Sequence, residues 1–185
     1  MSSGDSLLPP AAPGLDEPLE MLHACHERVR AQLATLTRLA QWLPQHGADE
    51  QAQRAARSVM RYFDLAAVNH HLDEEEDLLP AMLEAVDADE RVRLQVLVDR
   101  ILAEHVELAA RWAALRALLQ QIAEGEAAML DEDLVLRFAA AYEMHIRVEE
   151  EEILPWAGRL LGPDAVARIS HSMTDRRRAP APPVD

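Results

Sequence analysis

The stretch His70-His71-Leu72-Asp73-Glu74-Glu75-Glu76-Asp77-Leu78-Leu79-Pro80 returns further along the chain as His145-Ile146-Arg147-Val148-Glu149-Glu150-Glu151-Glu152-Ile153-Leu154-Pro155. Each copy has a His, a Glu at i+4, further acid, two aliphatics and a Pro. The match reaches upstream, where Phe63 and Ala66 correspond to Phe138 and Ala141. Residues i and i+4 share one helix face, so His70 pairs with Glu74 and His145 with Glu149. The preceding Phe and Ala put both pairs on the apolar stripe, the face a helix turns to its core. Imidazoles and carboxylates on such a face need a partner, because burying an unpaired charge is costly. A metal ion is the obvious partner for two such pairs.

Around these motifs the sequence reads as helix throughout. Pro9, Pro10 and Pro13 mark residues 1–16 as a disordered arm. A first helix is expected from Glu17 to about Leu43, with Leu19, Leu22, His26, Val29, Leu33 and Leu36 on one face and Pro44, His46 and Gly47 as its stop. The second starts at an Asp49 cap and runs to Pro80, where the ring should kink or end it. Its inward face is Val59, Phe63, Ala66, Ala67, His70 and Glu74. The third, about 89–124, carries Leu94, Leu97, Ile101, His105, Leu108, Trp112 and Leu115 and stops at Gly125. Asp131 caps a fourth over about 132–154, whose stripe is Leu134, Phe138, Ala141, His145, Glu149 and Ile153. Gly162-Pro163-Asp164 restarts a short helix to about Met173, and Arg176-Arg177-Arg178 opens a tail expected to be mobile. The division is therefore an arm at 1–16, a bundle at 17–161, and a short helix with tail at 162–185. Two helical hairpins repeat, with His26 matching His105. The expected fold is all-α: an up-down-up-down four-helix bundle with pseudo-two-fold symmetry and a short C-terminal helix.

Composition limits what such a bundle can do. The chain has 185 residues, enough for one domain with a full core, and only 6 Gly. A formal net charge of −15 argues against nucleic acid and anionic membranes as partners. Cys25, the single cysteine, excludes an internal disulfide and fits a reducing cytoplasm. No apolar run approaches membrane-span length, and the first residues lack the basic start of a secretory signal.

Six polar side chains now lie on the core stripes: His26, His70, Glu74, His105, His145 and Glu149. With the halves packed about a two-fold, one metal would take His26 and His70 and the other His105 and His145. Glu74 and Glu149 would bridge, a solvent-derived oxo or hydroxo group would add a further bridge, and roughly one position per metal would stay open. Mixed imidazole and carboxylate donors suit iron or manganese, and the absence of thiolate argues against a structural zinc site, leaving zinc as a further occupant.

This pattern resembles the hemerythrin-like family, specifically its HHE cation-binding branch, over about Leu19 to Pro155. His26, His70, Glu74, His105, His145 and Glu149 match that family's ligand pattern, and the Leu-Leu-Pro and Ile-Leu-Pro ends match the residues that follow each of its His-x-x-x-Glu motifs. The resemblance implies a non-haem di-iron centre that binds, senses or reacts with oxygen, nitric oxide or peroxide, or handles iron. The expected partner is a small diatomic or anionic ligand. A di-iron oxidase, peroxidase or iron-sulfur repair enzyme is the alternative, and a bundle with metal as a structural staple is a third. Oxygen carriers of the family place another His one turn after the third-helix His, where this chain has Ala109. They also use His-x-x-x-x-Asp where this chain has His145 and Glu149, with Glu150 at the position of that Asp. Stable oxygen carriage is therefore not expected.

The remaining polar residues have plainer readings. Glu75 and Glu150 are solvated acids or hydrogen-bond partners behind the ligands. His71 is expected off the core face and exposed. His23 is the best further imidazole, one turn before His26. Tyr142 is expected to pack with its hydroxyl at the bundle edge. Cys25 points about a hundred degrees away from His26 and is non-ligating.

Overall fold

A computed structural model describes residue 14 and residues 16–126 and 129–178. The expected disordered arm and the last residues of the tail fall largely outside that range. Among the described residues every regular element is helical. Helix α1 spans Pro18–His46, and α2 spans Glu50–Arg61. A wide π turn, Tyr62–Ala66, leads to α3, Ala67–Leu72. A second π turn, Asp73–Leu78, leads to α4, Leu79–Ala85. Helix α5 is the longest, Ala88–Ala123. Helix α6, Glu132–Val148, passes through a third π turn, Glu149–Ile153, into α7, Leu154–Leu160. Helix α8, Pro163–Arg178, closes the description.

The starts are set by aspartates. The Asp49 carboxylate accepts from the Ala52 amide, that of Asp87 from Asp89 and Glu90, and that of Asp131 from Asp133 and Leu134. Each occupies amides that the first turn of a helix leaves without partners. Gly47 and Gly125 have φ of +63° and +79°, the left-handed region glycine enters without penalty, and they end α1 and α5.

Prolines break fewer helices than expected. Helix α1 runs past Pro44 to His46, so that proline does not end it and Gly47 does. At Pro80 and Pro155 the chain stays helical because a π turn comes first. The Leu79 amide donates to the Glu74 carbonyl and that of Leu154 to Glu149, five residues back. The wider turn absorbs the missing donor and the bulk of the ring.

Helix α1 packs against α2 and α6, and α5 against the same two, so the four form a closed ring. The core inside is split. One apolar cluster holds Val29, Leu33, Leu36, Phe63, Leu108, Leu115, Phe138 and Ile146 among others. The second holds Leu22, Leu78, Leu79, Met82, Ile101, Ile153, Trp156 and Met173 among others. On α1 the boundary falls between Leu22 and Val29, at His26; on α5 it falls between Ile101 and Leu108, at His105. A layer of polar side chains thus crosses the interior between two dry regions.

Helix α8 reaches further than the sequence suggested. It extends to Arg178 and lies on the Asp73–Leu78 turn and on α1. Two of the three arginines expected in a mobile tail are docked. Arg176 meets Asp73, Glu76 and Asp77 at 2.5, 2.8 and 2.9 Å, and Arg177 meets Asp73 at 2.6 Å. Asp73 is fully buried, so these pairings supply the counter-charge it requires.

Candidate metal centre

The polar layer contains all six side chains picked out by their spacing. His26, His70, Glu74, His105, His145 and Glu149 are each no more than 4 % exposed. Their donors fall into two overlapping groups. His26, His70, Glu74 and Glu149 each offer one donor atom, and these lie within 4.8 Å of one another. Glu74, Glu149, His105 and His145 do the same. Both carboxylates belong to both groups.

The spacings within the groups are those of neighbouring donors. Glu149 Oε2 is 3.0 Å from His26 Nε2, Glu149 Oε1 is 2.9 Å from His145 Nε2, and the Nε2 atoms of His105 and His145 are 3.1 Å apart. Metal–donor bonds of about 2.1 Å at right angles put adjacent donors about 3 Å apart. Several of these atoms are also orphans. His26 Nε2, Glu74 Oε2 and both Glu149 oxygens are buried without a hydrogen-bond partner. Buried polar groups are normally satisfied, and so many unsatisfied in one place call for a shared cation. The residues fit a metal on both counts.

Behind the cage stands a ring of carboxylates. Glu150 Oε1 lies 3.0 Å from His26 Nδ1, Glu75 Oε1 lies 2.6 Å from His105 Nδ1, and Glu104 Oε2 lies 3.0 Å from His145 Nδ1. Each accepts from the outer nitrogen of its imidazole, which turns Nε2 and its lone pair inward. Arg30 grips Glu150 through two bonds of 3.0 Å, and Arg100 holds Glu104 at 2.8 Å. Glu150 therefore serves His26 from outside, and the cage itself uses Glu149. Glu104 was not picked out by its spacing, since its partner lies on another helix.

Electrostatics follow the burial. His70 is driven down to about 3 by loss of water. Burial, with the nearby Glu149 charge, raises Glu74 to about 7. Burial opposes charge on His105, but the adjoining Glu149 and Glu74 carboxylates outweigh it and raise the imidazole to about 10. Glu149 is held well below the carboxylate range against its burial by His105, His145 and His26. Without a metal, the protons of this layer are shared between acids and imidazoles.

Two residues sit differently from expectation. His71 is half-buried; its ring stacks on His105 at 4.0 Å and 8°, and its Nε2 lies 3.3 Å from the Tyr142 hydroxyl. That hydroxyl thus points inward and not to the bundle edge, and Tyr142 is 3 % exposed. The signal for His71 was in the repeat: it aligns with Ile146, an apolar core residue. His23 stays at the surface with Nδ1 3.2 Å from Glu150 Oε1. It borders a groove of about 820 Å³ lined by Leu19, Arg28, Leu154 and Pro155 among others, outside the cage. Cys25 is buried and stands in none of the donor groups.

A helical protein with two histidine–carboxylate donor groups sharing two glutamates is of the kind built to hold metal cations. The family model described as hemerythrin HHE cation binding domain matches residues 17–157, and the chain belongs to that family. It is also similar to an uncharacterized protein of Haemophilus influenzae (strain Rd), 29% identical over 163 residues, covering 88% of this chain and 91% of the relative. No helix among the described residues is long and apolar enough to cross a membrane.

Proposed function

We propose that the protein is a cytoplasmic, non-haem di-iron protein on an up-down-up-down four-helix bundle, and that it binds, senses or reacts with a small redox ligand such as oxygen, nitric oxide or peroxide. The observation that carries this reading is the sharing of Glu74 and Glu149 between the two four-donor groups. A shared pair of carboxylates holds two cations close together and offsets their mutual repulsion. His26 and His70 would hold one ion, and His105 and His145 the other. Bound iron would supply a change of oxidation state and a Lewis-acidic position for a small ligand.

The protein's own residues support that role. Glu150, Glu75 and Glu104 fix the tautomers of His26, His105 and His145. Phe63 and Phe138 pack with ring centroids 5.3 Å apart, and Phe63 and Trp112 at 4.8 Å, in the apolar cluster beside the cage. Such a wall limits water and raises the contribution of each charge within. Ala109, one turn beyond His105, is exposed and offers no donor. Durable oxygen carriage does not fit a cage without that imidazole.

Metal analysis and absorption spectra of protein purified from iron-supplied cells test this reading. Close to two irons per chain are expected, with near-ultraviolet bands that azide shifts. Full loading with no response to oxygen, nitric oxide or azide would assign the metal a purely structural role. Protein that takes up no iron under any condition would remove the reading.

A further inference from the structure

Helix α5 is buried along one face and apolar along another that nothing among the described residues covers. Leu94, Val98, Ile101, His105, Leu108 and Leu115 face the bundle. On the outward side Val92, Val96 and Val106 are 74, 66 and 72 % exposed, and Ala103, Ala110 and Ala117 are exposed with them. With Asp99 and Ala113 these residues follow one another at alternating steps of four and three, the repeat of a helix-pairing seam. A helix apolar on two sides is suited to being covered on both. Arg100 and Glu107 flank the seam along one edge, and both are partly in solvent. Arg93 and Arg100 balance Asp99 and Glu107, so the face is locally neutral on a chain of net charge −15.

We propose that this face is an interface between two copies of the chain, with their α5 helices antiparallel about a two-fold axis. Val92 and Val96 of one copy then oppose Ala117 and Ala113 of the other, and Ala103 opposes Val106. The alanines let the helix axes approach closely. Arg100 comes beside Glu107 of the second copy, and the symmetry makes that pair twice. In the lone chain, among the described residues, these two side chains form ion pairs only within α5, Arg100 with Glu104 and Glu107 with Arg111.

Charge selects that direction and register. Parallel helices related by a two-fold would set Asp99 against Asp99. Sliding the antiparallel pair by one heptad sets Glu107 against Glu107 one way and Arg100 against Arg100 the other. Like charges placed face to face disfavour these alternatives. In the register with Arg100 beside Glu107, Asp99 faces the small Ala110, and Gln95 Nε2 donates to it at 2.8 Å.

The contact needs no metal, so its test is separate from that of the metal centre. Sedimentation equilibrium of the full chain, stripped of metal and loaded with iron, reads the mass over a range of concentrations. Twice the mass of one chain is expected, falling to a single chain on dilution. Val96→Glu/Val106→Glu should give a single-chain mass with unchanged helical content, since both side chains project into solvent in the lone chain. Arg100→Glu alone or Glu107→Arg alone should weaken association at least about tenfold, and the two together should restore it. Should the valine variant not fold, the charge variants carry the test, because their side chains are exposed. A single-chain mass for wild type up to the limit of solubility would overturn the proposal and leave the face to another protein. A dimer that withstands Val96→Glu/Val106→Glu would overturn it by placing the contact elsewhere. So would a double charge variant that associates no better than either single one.

Discussion

The Nε2 atom of His105 lies 3.1 Å from the Nε2 atom of His145, and neither ring can be turned away without losing the carboxylate behind it. Two imidazole nitrogens face to face can share one proton at most. Both, however, can donate to one cation placed between them. His145→Ala should therefore empty that side and lower the iron content from about two to about one per chain, with the His26 side retained through Glu149. Iron analysis after gel filtration reads the result, and an unchanged content would show that the pair does not hold metal.

Glu150 tests the layer behind the donors. Held by Arg30, it accepts from His26 Nδ1. Glu150→Gln or Arg30→Ala should weaken metal binding by about 10- to 100-fold while leaving the helical content intact. Competition with a coloured chelator measures this. Affinity equal to wild type would mean that Glu150 is only a surface acid.

Stability of the metal-stripped protein should depend on pH in a defined sense. His105 is raised to about 10 from an ordinary 6.5, so the folded form binds that proton more tightly than the unfolded chain. Its contribution is complete below pH 6.5 and disappears as pH rises through about 10. Glu74, raised to about 7 from 4.5, acts in the same direction over that lower window. His70, lowered to about 3, acts in the opposite direction, and its contribution is lost as pH falls below 6.5. A midpoint that is highest between pH 4.5 and 6.5, where the Glu74 and His70 contributions cancel, and that declines towards pH 10 is expected. Metal binding needs deprotonated donors, so the stabilisation it adds should grow over the same alkaline range. Melts with and without chelator across these pH values check both statements; parallel curves would contradict the second.

The docking of α8 sets another expectation. Asp73 is wholly buried between Arg176 and Arg177. Replacing both arginines by Ala leaves a buried charge without a counterpart and should cost ~3–5 kcal/mol. Adding Asp73→Asn to that double variant should recover part of the loss, because an amide needs no counter-charge. Urea denaturation of the three proteins provides the comparison. No recovery would mean that the arginines stabilise α8 through Glu76 and Asp77 instead.

Much of this arrangement could be read from spacing alone. Leu22, His26, Val29 and Leu33 recur at helical intervals, and all four are buried as that interval requires. The His-x-x-x-Glu pairs put donors on one face in both halves. What spacing on single helices could not show was pairing between helices. Glu104 reaches His145 across the bundle, and Arg176 reaches Asp73 from the far end of the chain. A narrow stripe also missed residues at its edge. Ala67 is buried where Ala66 is exposed, and His71 and Asp73 face inward as Ile146 and Val148 do in the second half. Comparing the two halves position by position finds these last two, because the second half has apolar residues at the same places. The π turns displace the stripe, since each carries a residue more than a regular turn, and a strict 3.6 spacing then points to the wrong neighbour.

Two of those wide turns occupy equivalent places. Asp73–Leu78 and Glu149–Ile153 each include the glutamate of the motif, and each is followed by a proline. A local irregularity shared by both halves at the same register points to descent from one ancestral hairpin that already had it. The Tyr62–Ala66 turn has no partner in α6. Two copies of that ancestor, associated about a two-fold axis, would have brought together four histidines and two glutamates. On this account the layer of histidines and glutamates arises where two hairpins meet, and each half is free to vary around it, with histidine at position 71 in one and isoleucine at 146 in the other.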